Sequence, residues 1–158
     1  MDFDGALGKE GAGIGIWILS PVGKSSGIPS SVRECYYKLA FDYSNNEAEY
    51  EALITGLEIL KKLGAKRFFV YGDSELVIKQ VKGEYQAKHP RMRAYRNEIL
   101  DVLKFFPDYT LTAIPRAQNI IADSLATIAS NLKIPMNSSN KFEIHINHRP
   151  IVPDNLRY

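Results

Sequence analysis

At 158 residues, 45% of them apolar, the chain is long enough for one well-filled α/β domain and short of two. No run approaches the roughly 18 apolar residues of a membrane-spanning helix, and the first residues lack a basic-then-apolar leader, so a protein of the cytoplasm or nucleus with no membrane partner is expected, not a secreted one. Cys35 is the sole cysteine, which excludes an internal disulfide or a thiolate zinc cluster, and a formal net charge of +2 is too small to imply a polyanionic partner without local clustering.

In chain order, residues 1 to 8 read as a strand with Asp2 and Asp4 on one face, and "GALGKEGAG" leads into a second strand, "IGIWILS". "PVGKSSG" reads as a turn, and a third strand follows from roughly Ile28 to Tyr43. The helix within "SNNEAEYEALITGLEILKKLG" is bounded by its own chemistry. Ser44 and Glu47 form a capping box, Lys61 and Lys62 suit the negative end of the helix dipole, and Gly64 suits a left-handed stop. "AKRFFVYGDS" reads as a buried parallel strand passing into a helix near Ser74, and a further helix starts after Pro90 and ends near Phe106, before Pro107. "YTLTAIP" is a fifth strand and "AQNIIADSLATIASNL" a last helix. Beyond Lys133, "IPMNSSN" is linker-like, "KFEIHI" reads as a short strand and "NHRPIVPDNLRY" as extended or disordered, so the folded domain is expected over 1–132 and a linker-like tail over 133–158. The order predicts an α/β domain with a five-stranded mixed sheet, three antiparallel strands then two parallel ones, flanked by helices.

One carboxylate stands out. At about 100° per residue Glu49 falls on the stripe of Leu53, Gly56 and Leu60, while Glu47, Glu51, Glu58 and Lys62 can face water. A buried carboxylate without a partner costs several kcal/mol, so Glu49 either reaches solvent at the edge of the stripe or meets a hydrogen-bond donor, a proton, a base or a metal. In a sheet of this kind ligands gather outside the carboxyl ends of the parallel strands. Asp73 ends the fourth strand, Asp4 lies in the neighbouring first strand, and Glu49 faces the sheet. Asp123 sits beside the small face of Ala122, Ala126 and Ser130, away from the stripe of Ile121, Leu125, Ile128 and Leu132. Acids this close raise one another's pKa unless a cation holds them apart. Oxygen ligands with no Cys or His nearby select Mg²⁺ or Mn²⁺, and two such ions about 4 Å apart are a device for phosphoryl transfer.

"FDGA" with "GAGIGI", then "SNNEAEYEAL", "VYGDSELVIKQVKGEY" and "IPRAQNIIADSLA" together resemble the type 1 ribonuclease H domain, most closely that of plant gypsy-class retrotransposon polyproteins, over about Asp2 to Asn131. The resemblance implies cleavage of the RNA strand of an RNA–DNA hybrid with two Mg²⁺ ions, for which Mn²⁺ can substitute. It places the family's acid quartet on Asp4, Glu49, Asp73 and Asp123, and prefers Asp4 to Asp2 because the family's first acid precedes Gly-Ala or Gly-Ser. It also implies partners: the hybrid itself and the reverse transcriptase and integrase domains of one polyprotein, with a monomer expected for the isolated domain. The start of the chain so near its first strand fits a piece of such a polyprotein.

Many members of the family carry a histidine in the loop before the last acid; this chain has "IPRAQN", with Arg116 the nearest polar residue. Candidate substrate contacts are Gly5 and Ala6 beside the first acid, the N-cap Ser44, and Asn45 and Asn46, which the resemblance sets in the hybrid's minor groove, where 2′-hydroxyls mark RNA. "KGEYQAKHPRMRAYR" is the most basic stretch: Lys82, Lys88, Arg91, Arg93 and Arg96, with Tyr85 and Tyr95, form either a phosphate-binding patch or a solvated helix face. Two rivals stand beside the nuclease reading: a non-catalytic nucleic-acid-binding or tethering domain of the same fold, and another nuclease of the superfamily.

Overall fold

A computed structural model describes residues 1–20, 31–39 and 43–132, and the backbone of 141–148. Strands β1 (Asp2–Gly8), β2 (Gly11–Ser20) and β3 (Ser31–Leu39) form an antiparallel meander in which Asp4 stands opposite Gly15 and Gly15 opposite Tyr36. Helix α1 (Asn45–Lys62) crosses to β4 (Arg67–Gly72), which runs parallel to β1. Helices α2 (Glu75–Val81) and α3 (Pro90–Leu103) lead to β5 (Asp108–Ala113), parallel to β4. A 3-10 turn at Arg116–Gln118 opens into α4 (Ile120–Ser130), and β6 (Lys141–His148) closes the order β5-β4-β1-β2-β3-β6.

Alternation along the strands decides which helix lies on which face. A Cβ at Gly5 would meet the backbone of Ala48 and Glu49 in α1, whereas one at Gly13 or Gly15 would meet the backbone of α4. Gly5 pairs with Ile14, one residue from Gly15, so α1 and α4 cover opposite faces. Between α1 and the sheet lie Phe3, Ile14, Ile16, Leu53, Leu57 and Val70, all fully buried; each such side chain contributes about 1.5–3 kcal/mol. The glycines of "GAGIG" therefore admit α4 to backbone contact with β2.

Helix α1 ends as its sequence dictates. Ser44 Oγ accepts from Glu47 N, Glu47 returns a carboxylate to Ser44 N, and Gly64 has φ +74°. Two expectations need correction. Glu47 is buried and not facing water, because the same carboxylate also pairs with Arg91 of α3 at 3.0 Å. The five expected strands are joined by a sixth: "KFEIHI" lies within β6, antiparallel to β3 from Val32↔His148 to Leu39↔Lys141. In α4 the small face of Ala122, Ala126 and Ala129 is buried together with Leu125, while Ile121 and Ile128 are exposed, because the bare glycines of β2 let the backbone of α4 approach the sheet. The two helices read between β4 and β5 are both present, and Gly83, at φ +82°, lies just past the end of the first, after Val81. The turn read at "PVGKSSG", both ends of the longer third strand, and the linker-like 133–140 and 149–158 lie outside the described residues. No helix among them is long and apolar enough to cross a membrane.

Candidate active site

The carboxyl ends of β1 and β4 meet the N-terminal turns of α1 and α4 around a cleft of about 450 Å³. Asp4 projects from β1 on the α4 side and is almost fully buried. Glu49 reaches the same point from the second turn of α1, because Gly5, lacking a side chain, lets α1 sit against β1; its own N–H donates to Glu49 Oε1. Asp73 follows β4 directly. Asp4, Glu49 and Asp73 each offer an oxygen within 4.8 Å of the others. Asp123, one turn into α4, lines the same cleft and pairs with Arg116 at 3.2 Å.

This crowding has an electrostatic consequence. Burial raises the Asp4 carboxyl far above the ordinary carboxylate range, and the charges of Glu49 and Asp73 add to the effect. Burial also raises Glu49, against the hydrogen bond from Gly5 and the positive charge of Arg116. Arg116 is itself held more firmly protonated by Asp123. Burial and crowding thus favour protonation of the pair Asp4 and Glu49, and a divalent ion bound there would displace those protons. Glu49 Oε2 is buried without a hydrogen-bond partner, an arrangement costly in a finished core and apt for a metal ligand. The donor set, all carboxylate oxygen, fits a hard divalent cation.

Of the residues singled out in the sequence, Asp4, Gly5, Ala6, Asn45, Asn46, Glu49, Asp73, Arg116 and Asp123 line the cleft. Ser44 caps α1 beside it. Lys88, Arg91, Arg93 and Arg96 do not line it; they lie along α3 and the segment before it. Arg93 donates to the carbonyls of Ala87 and Lys88, and Arg91 to Glu47, so part of this basic stretch secures the chain itself. Two polar residues escaped the sequence reading. Lys38 is buried, donating to the carbonyls of Glu10 and of Ser130 at the end of α4. Asn119 is wholly buried beneath the cleft, donating from Nδ2 to Phe3 O at 2.9 Å and Asp73 Oδ2 at 3.3 Å. Its signal was an Asn one helical turn ahead of Asp123, a position readily taken for a helix cap.

Fold and site together define a ribonuclease H-like domain with an acidic centre at the ends of its parallel strands. A family model described as "Reverse transcriptase-like" matches residues 2–129. The structure of RNase H1 from the halophilic archaeon Halobacterium salinarum is similar over 81% of this chain and 93% of that one, at 31% identity and a TM-score of 0.64. LC11-RNase H1, solved in complex with an RNA/DNA hybrid, is similar over 82% and 94%, at 29% identity and a TM-score of 0.63. In sequence, Ribonuclease HI of Halobacterium salinarum is 41% identical over 86 residues, 54% of this chain and 43% of that protein, so the chain spans less than half of that relative's length. The chain belongs to the reverse transcriptase-like family, as a type 1 ribonuclease H-like domain.

Proposed function

We propose that this chain is an endonuclease that hydrolyses the RNA strand of RNA–DNA hybrids, with two Mg²⁺ ions, or Mn²⁺ in their place, held by Asp4, Glu49, Asp73 and Asp123. The observation that carries the reading is the convergence of three carboxylates within 4.8 Å, one of them with a buried oxygen lacking any partner. When bound, the ions activate a water and stabilise the leaving oxygen. The protein's part is positional. Gly5 N–H fixes Glu49, and the sheet fixes Asp4 against Asp73. Arg116, largely exposed at the mouth, adds a cation that attracts phosphate and offsets the charge of Asp123. Asn45 and Asn46, in the first turn of α1, meet the hybrid where the helix dipole favours phosphate and amide side chains reach 2′-hydroxyls. Ser44, Gly5 and Ala6 shape that end of the cleft, and Lys88, Arg91, Arg93 and Arg96 extend the contact along the backbone of the hybrid.

The catalytic unit is residues 1–132, with 133–158 a tail. As part of a plant gypsy-class retrotransposon polyprotein, the domain would act beside reverse transcriptase and integrase domains, monomeric when isolated, in the cytoplasm or nucleus. The resemblance of its motif blocks, in order, supports this origin. A labelled hybrid tests the activity, with duplex DNA, duplex RNA and single-stranded RNA as controls. Mg²⁺-dependent cleavage confined to the RNA of the hybrid is expected; binding of hybrid without cleavage at any Mg²⁺ or Mn²⁺ concentration would leave a tethering domain instead.

A further inference from the structure

Asn119 breaks two local rules at once. It occupies the N-cap position of α4, where Asn is among the favoured residues, yet its side chain makes no capping bond. It is fully buried, yet its Oδ1 has no partner. Both forgone bonds have one explanation in where Nδ2 points. Its two hydrogens are directed to Phe3 O, the carbonyl immediately before Asp4, and to Asp73 Oδ2. Both neighbours are acceptors, so the amide cannot be turned around: only the NH₂ end fits there. At the same time the backbone carbonyl of Asn119 accepts the first α4 bond from Asp123 N–H at 3.0 Å. One residue thus touches the supports of three acids on three different elements: β1 beside Asp4, the end of β4 at Asp73, and the first turn of α4 at Asp123.

We infer that Asn119 is a positioning residue of the metal centre: it holds the Asp73 carboxylate by a hydrogen bond to Oδ2 and ties α4 to β1 at the spacing the ions require. The inference rests on the metal-centre reading above. A donor to the outer oxygen of a ligating carboxylate orients it, and loss of such a partner typically weakens metal affinity 10- to 100-fold.

The test is calorimetric titration of the purified protein with Mn²⁺, independent of turnover, for wild type, Asn119→Leu, which keeps the branching at Cγ and removes both hydrogen bonds, and Asn119→Ser, which is smaller and too short to reach both acceptors. Circular dichroism establishes folding of each. Expected are folded variants with Mn²⁺ affinity lowered about 10-fold or more, kcat reduced and recovering in part at high metal, and KM for the hybrid unchanged at saturating metal. Folded variants with a lower melting temperature but wild-type Mn²⁺ affinity would overturn the inference and leave the metal centre standing. A wild-type protein that takes up no Mn²⁺ would bring down both. Failure of both variants to fold would make Asn119 a structural anchor, which also overturns the inference.

Discussion

Asp4 and Gly15 stand opposite each other across β1 and β2, and the backbone of α4 at Ala122 rests on the bare face of Gly15. The next residue, Asp123, is thereby brought to the cleft that Asp4 lines. A methyl group on Gly15 would overlap the Ala122 carbonyl and Ala126 N, both backbone atoms that cannot rotate aside. Gly15→Ala is expected to destabilise the fold by about 1–3 kcal/mol and to lower kcat more than KM, because displacing α4 moves Asp123 rather than the substrate-binding end of α1. Denaturant melts and steady-state kinetics check both halves.

Asp73→Asn should abolish metal-dependent cleavage while leaving the melting temperature equal or higher. It removes one of the like charges crowding Asp4 and Glu49, and its amide oxygen can still accept from Asn119. Cleavage at the wild-type rate would remove Asp73 from the metal set.

The raised carboxyls make stability depend on pH in a stated direction. Protonated Asp4 and Glu49 favour the folded state, so their contribution is complete below the ordinary carboxylate values and is lost as pH rises through the folded ones, about 7 for Glu49 and higher for Asp4. The metal-free protein should therefore lose stability from about pH 4 through neutrality, and saturating Mg²⁺ should flatten or reverse the slope. Thermal melts across pH with and without EDTA decide it; an unchanged slope on adding metal would count against the carboxylates as its ligands.

Within the basic stretch, the geometry separates two kinds of residue. Lys88 and Arg91 are exposed, and Glu47 keeps its hydrogen bond from Ser44 N when Arg91 is removed, so the double alanine variant should stay folded at some loss of stability, raise KM and flatten its salt dependence while kcat changes little. Arg93→Ala should instead lower the melting temperature, since its guanidinium holds two backbone carbonyls before α3. Kinetics at two salt concentrations distinguish them: an unchanged KM for the double variant at both would leave a solvated helix face.

Truncation after Leu132 removes β6, which lies at the opposite edge of the order from β4 and β5 and beyond two strands from β1. Activity per folded molecule should survive. The exposed edge of β3 should lower the melting temperature and promote self-association, because an unpaired edge offers a row of free N–H and C=O groups. Loss of activity in a folded, monomeric truncation would make the tail part of the catalytic unit.

What the sequence determined by itself is local or periodic. The capping of α1 by Ser44 and Glu47, its stop at Gly64, the place of Glu49 on the apolar stripe and the strand end before Asp73 all follow from groups within one or two turns of each other or from a period of 3.6 or 2. The four acids were singled out in the sequence by their places on strands and helices and by the resemblance of the motif blocks, which chose Asp4 over Asp2. Tertiary structure decided the rest. It buried Glu47 by bringing Arg91 from α3, turned the small face of α4 inward because Gly13 and Gly15 lie across from it, and set β6 on β3. It also made Asn119, an ordinary helix cap in the sequence, a donor to Phe3 O, which is 116 residues away. No pattern along the chain encodes such a bond: its energy arises only when β1, β4 and α4 are packed together, where a buried acceptor must find a donor or pay for its desolvation.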